Sequence, residues 1–81
     1  KLLAYPNPFD SQINVNFYLE KAVTVNISVT DMQGRVIYQK SNLGFSKGTQ
    51  AYSFNNNFSS GTYILKLQYG QKQETTVLIK K

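Results

Sequence analysis

The sequence contains no cysteine and no histidine. Without cysteine there is no disulfide and no thiolate metal site. Without histidine the commonest metal ligand and the usual general base near neutral pH are missing, and the many serines cannot enter a Ser-His-Asp triad. A Ser-Lys pair is conceivable, but no spacing favours one. Acids are scarce as well: Asp10, Glu20, Asp31 and Glu74 are the only carboxylate side chains. Calcium needs clustered acids, and these are scattered; Glu20 and Asp31 fall at opposite ends of one strand-like run. Asp31 reads as an acceptor for turn amides. These absences argue against an independent enzyme and against any metal or other cofactor. No window approaches the ~20 apolar residues of a membrane span. No N-terminal stretch combines a charged start, an apolar run and a small-residue cleavage site, so any export signal is expected upstream of Lys1.

What is present fits one small domain of 81 residues. Such a domain buries roughly 60–65% of the surface its unfolded chain exposes, so its core must be efficient. The net charge is +5, with the cations spread along the chain and only Lys80 and Lys81 adjacent. That pattern reads as a solvated surface with a basic tail. A base-stacking sheet of the OB kind would need exposed aromatics beside basic residues; most of the six tyrosines and five phenylalanines lie on the apolar register, Tyr18 being the clearest exception, and no RNP-like motif occurs. Nucleic acid is therefore not an expected partner. Two N-x-S matches, at Asn26 and Asn57, are read as structural.

The dominant signal is alternation with period two, which puts every second side chain on one face of a strand. Over residues 12–19 the apolar set is Ile13, Val15, Phe17 and Leu19. Over 22–30 it is Val23, Val25, Ile27 and Val29, and over 62–69 it is Tyr63, Leu65, Leu67 and Tyr69. Shorter runs lie at 2–5, 35–40 (Val36 and Tyr38 on one face, Ile37 on the other), 50–55 and 74–80. About seven short strands and no convincing helix predict an all-β antiparallel sandwich or barrel, with Val15, Phe17, Val25, Ile27, Tyr63, Leu65 and Leu67 buried together in a two-sheet sandwich. Residues 41–48, rich in Asn, Ser and Gly, predict a longer loop. Asp31-Met32-Gln33-Gly34 has the Asp and Gly that a type I turn with a bulge prefers, and Gly70-Gln71 suits a type II′ hairpin.

Three motifs stand in fixed order: Tyr5-Pro6-Asn7-Pro8, Asp31-Met32-Gln33-Gly34-Arg35-Val36, and Ser59-Ser60-Gly61-Thr62-Tyr63-Ile64. Each alone has a sufficient backbone reason. The prolines lock φ and extend the residue before them, Gly34 and Gly61 permit turns, and Tyr63 enters the core. Pro6, Asn7, Pro8, Asp31, Gly34, Arg35, Gly61 and Tyr63 are thus readable as structural. Together with a strand ending in Lys80-Lys81, the motifs resemble the type A C-terminal sorting domain of the type IX secretion system of Bacteroidetes. The resemblance runs from Tyr5 to Lys81, with nothing distinctive between residues 40 and 57.

The resemblance implies an immunoglobulin-like sandwich that occupies residues 1–81 as a single domain, with a secreted cargo upstream of Lys1. It implies folding in the periplasm, passage of the cargo through an outer-membrane translocon to the surface or medium, and removal of the domain by a sortase-like cysteine peptidase. The scissile bond would lie before or around residues 1–5, and the cargo would be released or joined to anionic lipopolysaccharide. The partners implied are the translocon components and that peptidase. The expected recognition element is the last strand, carried by Thr76, Val77, Leu78, Ile79, Lys80 and Lys81: a terminal strand offers backbone groups for strand addition, and the two lysines add a charge tag. The rival reading is an appended carbohydrate-binding or adhesive β-sandwich module, which usually displays a planar aromatic platform; here most aromatics fall on the core register. A second rival is an inert fibronectin-like spacer.

Overall fold

The computed structural model describes residues 2–81; Lys1, named above for the cleavage region, lies outside the described residues. Seven strands form: β1 (Leu3–Tyr5), β2 (Gln12–Leu19), β3 (Val23–Asp31), β4 (Val36–Phe45), β5 (Gly48–Asn55), β6 (Gly61–Tyr69) and β7 (Lys72–Lys80). They make two antiparallel sheets, ordered β1-β2-β5 and β4-β3-β6-β7. Consecutive strands change sheet between β2 and β3, β4 and β5, and β5 and β6, which gives the immunoglobulin-like sandwich arrangement.

The alternation decides which faces meet. Ile13, Val15, Phe17 and Leu19 of β2 point inward, as do Val25, Ile27 and Val29 of β3, Tyr63, Leu65 and Leu67 of β6, and Leu78 of β7; all are buried. Cross-strand pairs such as Ile27 with Leu67 and Val29 with Leu65 align these inward rows. Every residue expected in the core is buried. Fully burying one such side chain is worth roughly 1.5–3 kcal/mol, opposed by the entropy of ordering the chain. Tyr18, off the apolar register, is 48% exposed.

The hairpin turns follow their local chemistry. Gly34 sits at φ 87° and donates its N–H to the Asp31 carbonyl at 3.0 Å, while Asp31 N–H donates to the Arg35 carbonyl at 3.0 Å. A side chain at that φ would be strained, so glycine belongs there. Gly70, at φ 55°, opens the two-residue loop between Tyr69 and Lys72, as the hairpin signal predicted.

Two expectations are corrected. Residues 41–48 are not a loop: β4 continues to Phe45 and β5 begins at Gly48. The β3–β4 register shifts between Val25 and Ile27, and Asn42 there takes φ 59°. Its N–H donates to the Asn26 side-chain carbonyl at 2.9 Å. A bulge on an exposed edge strand thus absorbs polar residues that look like loop. The strict alternation expected for residues 35–40 also fails. A second shift, between Val29 and Thr30, turns both Ile37 and Tyr38 toward the core and leaves Val36 52% exposed.

Candidate functional site

Three connections and the last residue gather at one end of the sandwich: the β1–β2 segment, the β3–β4 turn, the β5–β6 segment and Lys81. The first is built on Asn7. Its amide lies flat along the outer edge of β7, donating from Nδ2 to the Val77 carbonyl at 3.1 Å and accepting the Ile79 N–H on Oδ1 at 2.8 Å. Two residues on, Phe9 N–H donates to the Ile79 carbonyl at 2.8 Å and Lys81 N–H donates to the Phe9 carbonyl at 3.0 Å. Phe9 and Lys80 form a parallel bridge. Residues 7–9 therefore act as an extra, parallel strand fragment on β7. Both X–Pro bonds here, Tyr5–Pro6 and Asn7–Pro8, are cis.

Phe9 anchors this segment. It is fully buried, edge-on to Phe58 with ring centroids 6.2 Å apart and tilted against Tyr63 at 6.5 Å. The Lys80 ammonium sits 5.5 Å from the Phe9 ring centre. It donates to the Asp10 carbonyl at 2.7 Å and to Asn56 Oδ1 at 2.9 Å. Asn56 in turn donates from Nδ2 to the Asp10 carbonyl at 3.0 Å. Lys80 is half-buried and bridges two loops, so its charge is not a free tag. Lys81 is exposed.

The β3–β4 turn is knotted by Asp31. Its Oδ1 accepts the backbone N–H of Arg35 at 2.9 Å and of Gln33 at 3.0 Å, and Oδ2 pairs with the Arg35 guanidinium at 3.1 Å. The hydrogen bond from the Arg35 backbone holds the Asp31 carboxyl below its ordinary pKa; desolvation pulls the other way, and the Gln33 N–H and the guanidinium add to the lowering. The Arg35 side chain is 79% exposed, so the ion pair itself contributes little and the guanidinium faces solvent.

The third connection ends in Gly61, opposite Lys80, and Tyr63. The Tyr63 hydroxyl reaches back to donate to the Ser59 carbonyl. A tyrosine at the start of this strand, bonded to backbone a few residues upstream, is the tyrosine corner of immunoglobulin-like sandwiches. Ser60 Oγ donates to the Lys81 carbonyl at 2.7 Å, tying this loop to the last residue. A shallow cleft runs between the two turns, lined by Gln33, Arg35, Asn57, Ser60 and Thr62 among others.

Of the residues named from sequence, Pro6, Asn7, Pro8, Asp31, Gly34, Arg35, Gly61, Tyr63, Ile79, Lys80 and Lys81 all meet at this end. Thr76 and Val77 lie further along β7. Pairing of Leu65 with Thr76 and Tyr63 with Leu78 puts Thr76, Leu78 and Lys80 on the inner face, whereas Val77 and Ile79 are 52% and 45% exposed on the outer one. Residues 7–9 occupy the edge groups of β7 from Val77 onward. The same parity turns the backbone groups of Gln73 and Thr75 outward, and among the described residues nothing pairs with them. Sequence reading missed Phe9 and Asn56 and gave Ser60 a place in a motif but no partner, because their partners are distant in the chain. Asp31 serves its own turn. Among the described residues no three His, Cys, Asp or Glu side chains group to hold a metal ion, and no helix is long and apolar enough to cross a membrane.

By its strands and their order the chain is an immunoglobulin-like antiparallel sandwich, with the Pro-Asn-Pro segment, the Gly-Arg turn, the tyrosine corner and the close of the last strand gathered at one end. The chain belongs to the secretion system C-terminal sorting domains, the family whose model matches residues 3–81. It is a type IX secretion sorting signal, one that implies interaction with that secretion machinery and export to the cell surface or beyond. Domains that serve as sorting signals are typically non-enzymatic. A comparison with curated proteins gives no match.

Proposed function

We propose that residues 1–81 are a single, non-catalytic sorting domain that follows its cargo in one chain, folds in the periplasm, and presents its motif-bearing end to the type IX translocon. The convergence of the three motifs with the end of β7 supports this reading most directly. The surface offered there combines the Arg35 guanidinium, the exposed Ile79 with Val77 next to it along the outer face of β7, and Lys81 beside the turn at Ser60. Recognition would use these side chains together with the open β7 edge at Gln73 and Thr75, where a partner strand could add. A sortase-like cysteine peptidase would then cut on the N-terminal side of β1, because Leu3–Tyr5 is engaged with β2 and a protease needs extended, accessible chain. The cargo would be released or joined to anionic lipopolysaccharide.

The test is a fusion of this domain to the C-terminus of an inert periplasmic reporter in a host with a type IX system. The reporter should reach the surface or medium, and deletion of the domain should leave it in the periplasm. Equal export without the domain would overturn the proposal. Mass spectrometry of the exported reporter locates the cut; a cut inside β2 or later would overturn the peptidase assignment alone.

A further inference from the structure

The edge of a β-sheet carries N–H and C=O groups that no neighbour takes up, and proteins blunt such edges with charge, proline, bulges, short strands or cover. This sandwich has four edges, and three are blunted. β1 is three residues long and runs into Pro6. β7 is overlaid by residues 7–9 only from the Val77 carbonyl onward, and its open first half carries the charged Lys72 and Glu74. β4 carries two register shifts, a left-handed Asn42 and Lys40. β5 has none of these devices. Its eight residues pair with β2 without a shift, and they include no charge and no proline.

The parity of that edge is fixed. Asn56 N–H donates to the Ser11 carbonyl of the β2 side, so even-numbered residues of β5 bond to β2. Thr49, Ala51, Ser53 and Asn55 therefore turn their N–H and C=O groups outward, and among the described residues nothing accepts or donates to them. Their side chains are exposed, while Tyr52 and Phe54 face inward.

We propose that β5 is a self-pairing edge, joining β5 of a second copy antiparallel about a two-fold axis at Tyr52. In that register Thr49 lies opposite Asn55 of the partner subunit and Ala51 opposite Ser53 of the partner subunit, and the reciprocal pairs follow by symmetry. It is the register that uses all four outward residues, with about eight hydrogen bonds in all. The symmetric register selects a second copy here, and charge permits it. The chain carries +5, so two copies repel wherever their lysines meet, yet this edge opposes no charge to charge: Lys47 would face Asn57 of the partner subunit. Small residues at Ala51 and Ser53 admit close approach, and Tyr52 meets Tyr52 of the partner subunit as an aromatic cross-strand pair. The two three-stranded sheets, neither of which has a charged residue in any strand, become one sheet of six.

Sedimentation of the 81-residue chain from micromolar to millimolar concentration tests this. The mass should climb from 9.2 kDa toward twice that value. Ala51→Pro removes an outward N–H that β2 does not use, and Ala51→Lys sets lysine beside the edge. Each should weaken association at least about tenfold with the melting temperature unchanged. Should Ala51→Pro fail to fold, Ala51→Lys carries the test. Val77→Lys, on β7, should leave association intact. A single-copy mass at every concentration, a dimer that survives in the folded Ala51 variants, or a dimer lost on Val77→Lys would overturn the proposal. Reporter export by Ala51→Lys separates this edge from the sorting function, which it leaves untouched.

Discussion

The two ends of the sandwich have three connections each, but they are held by different means. At the far end the links are short: a two-residue hairpin at Gly70-Gln71, two residues between β4 and β5, and a few between β2 and β3. The ion pair between Lys72 and Glu20 spans 3.5 Å with both side chains mostly exposed, and such a pair is worth about 0–1 kcal/mol. At the motif-bearing end, longer segments are tied to one another and to β7 by Asn7, Phe9, Asn56, Ser60 and Lys80. The contrast teaches that the residues marking the family also hold the domain together. An export defect in a motif variant is therefore ambiguous until folding is measured beside it.

The largest effect should come from Phe9→Ala. The ring is fully buried against Phe58 and Tyr63, and losing such a side chain costs about 3–5 kcal/mol. Gln71→Ala, in the far hairpin, should stay within about 0.5 kcal/mol. Urea melts of the two variants measure the asymmetry directly; equal losses would erase it.

Lys80→Gln comes next. The ammonium donates to two neutral acceptors in a half-buried position, and hydrogen bonds from charged groups are worth about 1.5–3 kcal/mol. We expect a loss near 1.5 kcal/mol, since glutamine can keep one of the two contacts. Tyr63→Phe should cost about 1 kcal/mol, because it removes the corner hydroxyl while the ring stays packed. Both are read by thermal or urea unfolding.

Much of this architecture is legible in the sequence, and the boundary is physical. The runs through Phe17, Ile27 and Leu65 alternate because each strand has one wet and one dry face, and that pattern is local. Asp31 and Gly34 announce their turn because the bonds they serve lie within four residues. The brackets at the motif-bearing end are not local. Asn7 and Ile79 are 72 positions apart, and Lys80 meets the Asp10 carbonyl across 70. Nothing near Phe9 marks it as core, and nothing near Lys80 says its charge is spoken for. The bulge at Asn42 is hidden for a related reason: its partner Asn26 lies on the neighbouring strand, so the polar run from Ser41 mimics a loop.

Acid should weaken the motif-bearing end through Asp31. Its pKa in the folded chain lies below the ordinary 3.8, chiefly because the Arg35 N–H favours the carboxylate. The stabilisation is therefore fully present above about pH 4 and is lost as pH falls through the folded value. Asp31→Asn removes this titration, so the gap between wild type and variant should narrow in urea melts stepped downward from pH 5. A gap that stays constant would mean that the turn is indifferent to the charge.

The smallest effect on stability separates holding from recognising. Lys81 is exposed, and its hydrogen bonds to Phe9 and Ser60 are made by its backbone. Lys81→Gln should shift stability by no more than about 0.5 kcal/mol, in contrast to its neighbour Lys80. If the machinery reads charge at this end, reporter export should fall for Lys81→Gln while the melting temperature holds. Lys80→Gln should lose both together, with export restored at lower temperature as the fold recovers. A charge-mediated encounter also weakens as salt rises, since screening acts over about 10 Å at 0.1 M, so binding to isolated translocon components should drop with ionic strength in wild type and less so in Lys81→Gln. Full export of folded Lys81→Gln would remove that charge from the signal. Recognition would then rest on uncharged features of β7, namely the exposed Val77 and Ile79 toward the motif-bearing end and the open backbone at Gln73 and Thr75 toward the far hairpin, where affinity comes from strand pairing that salt does not screen.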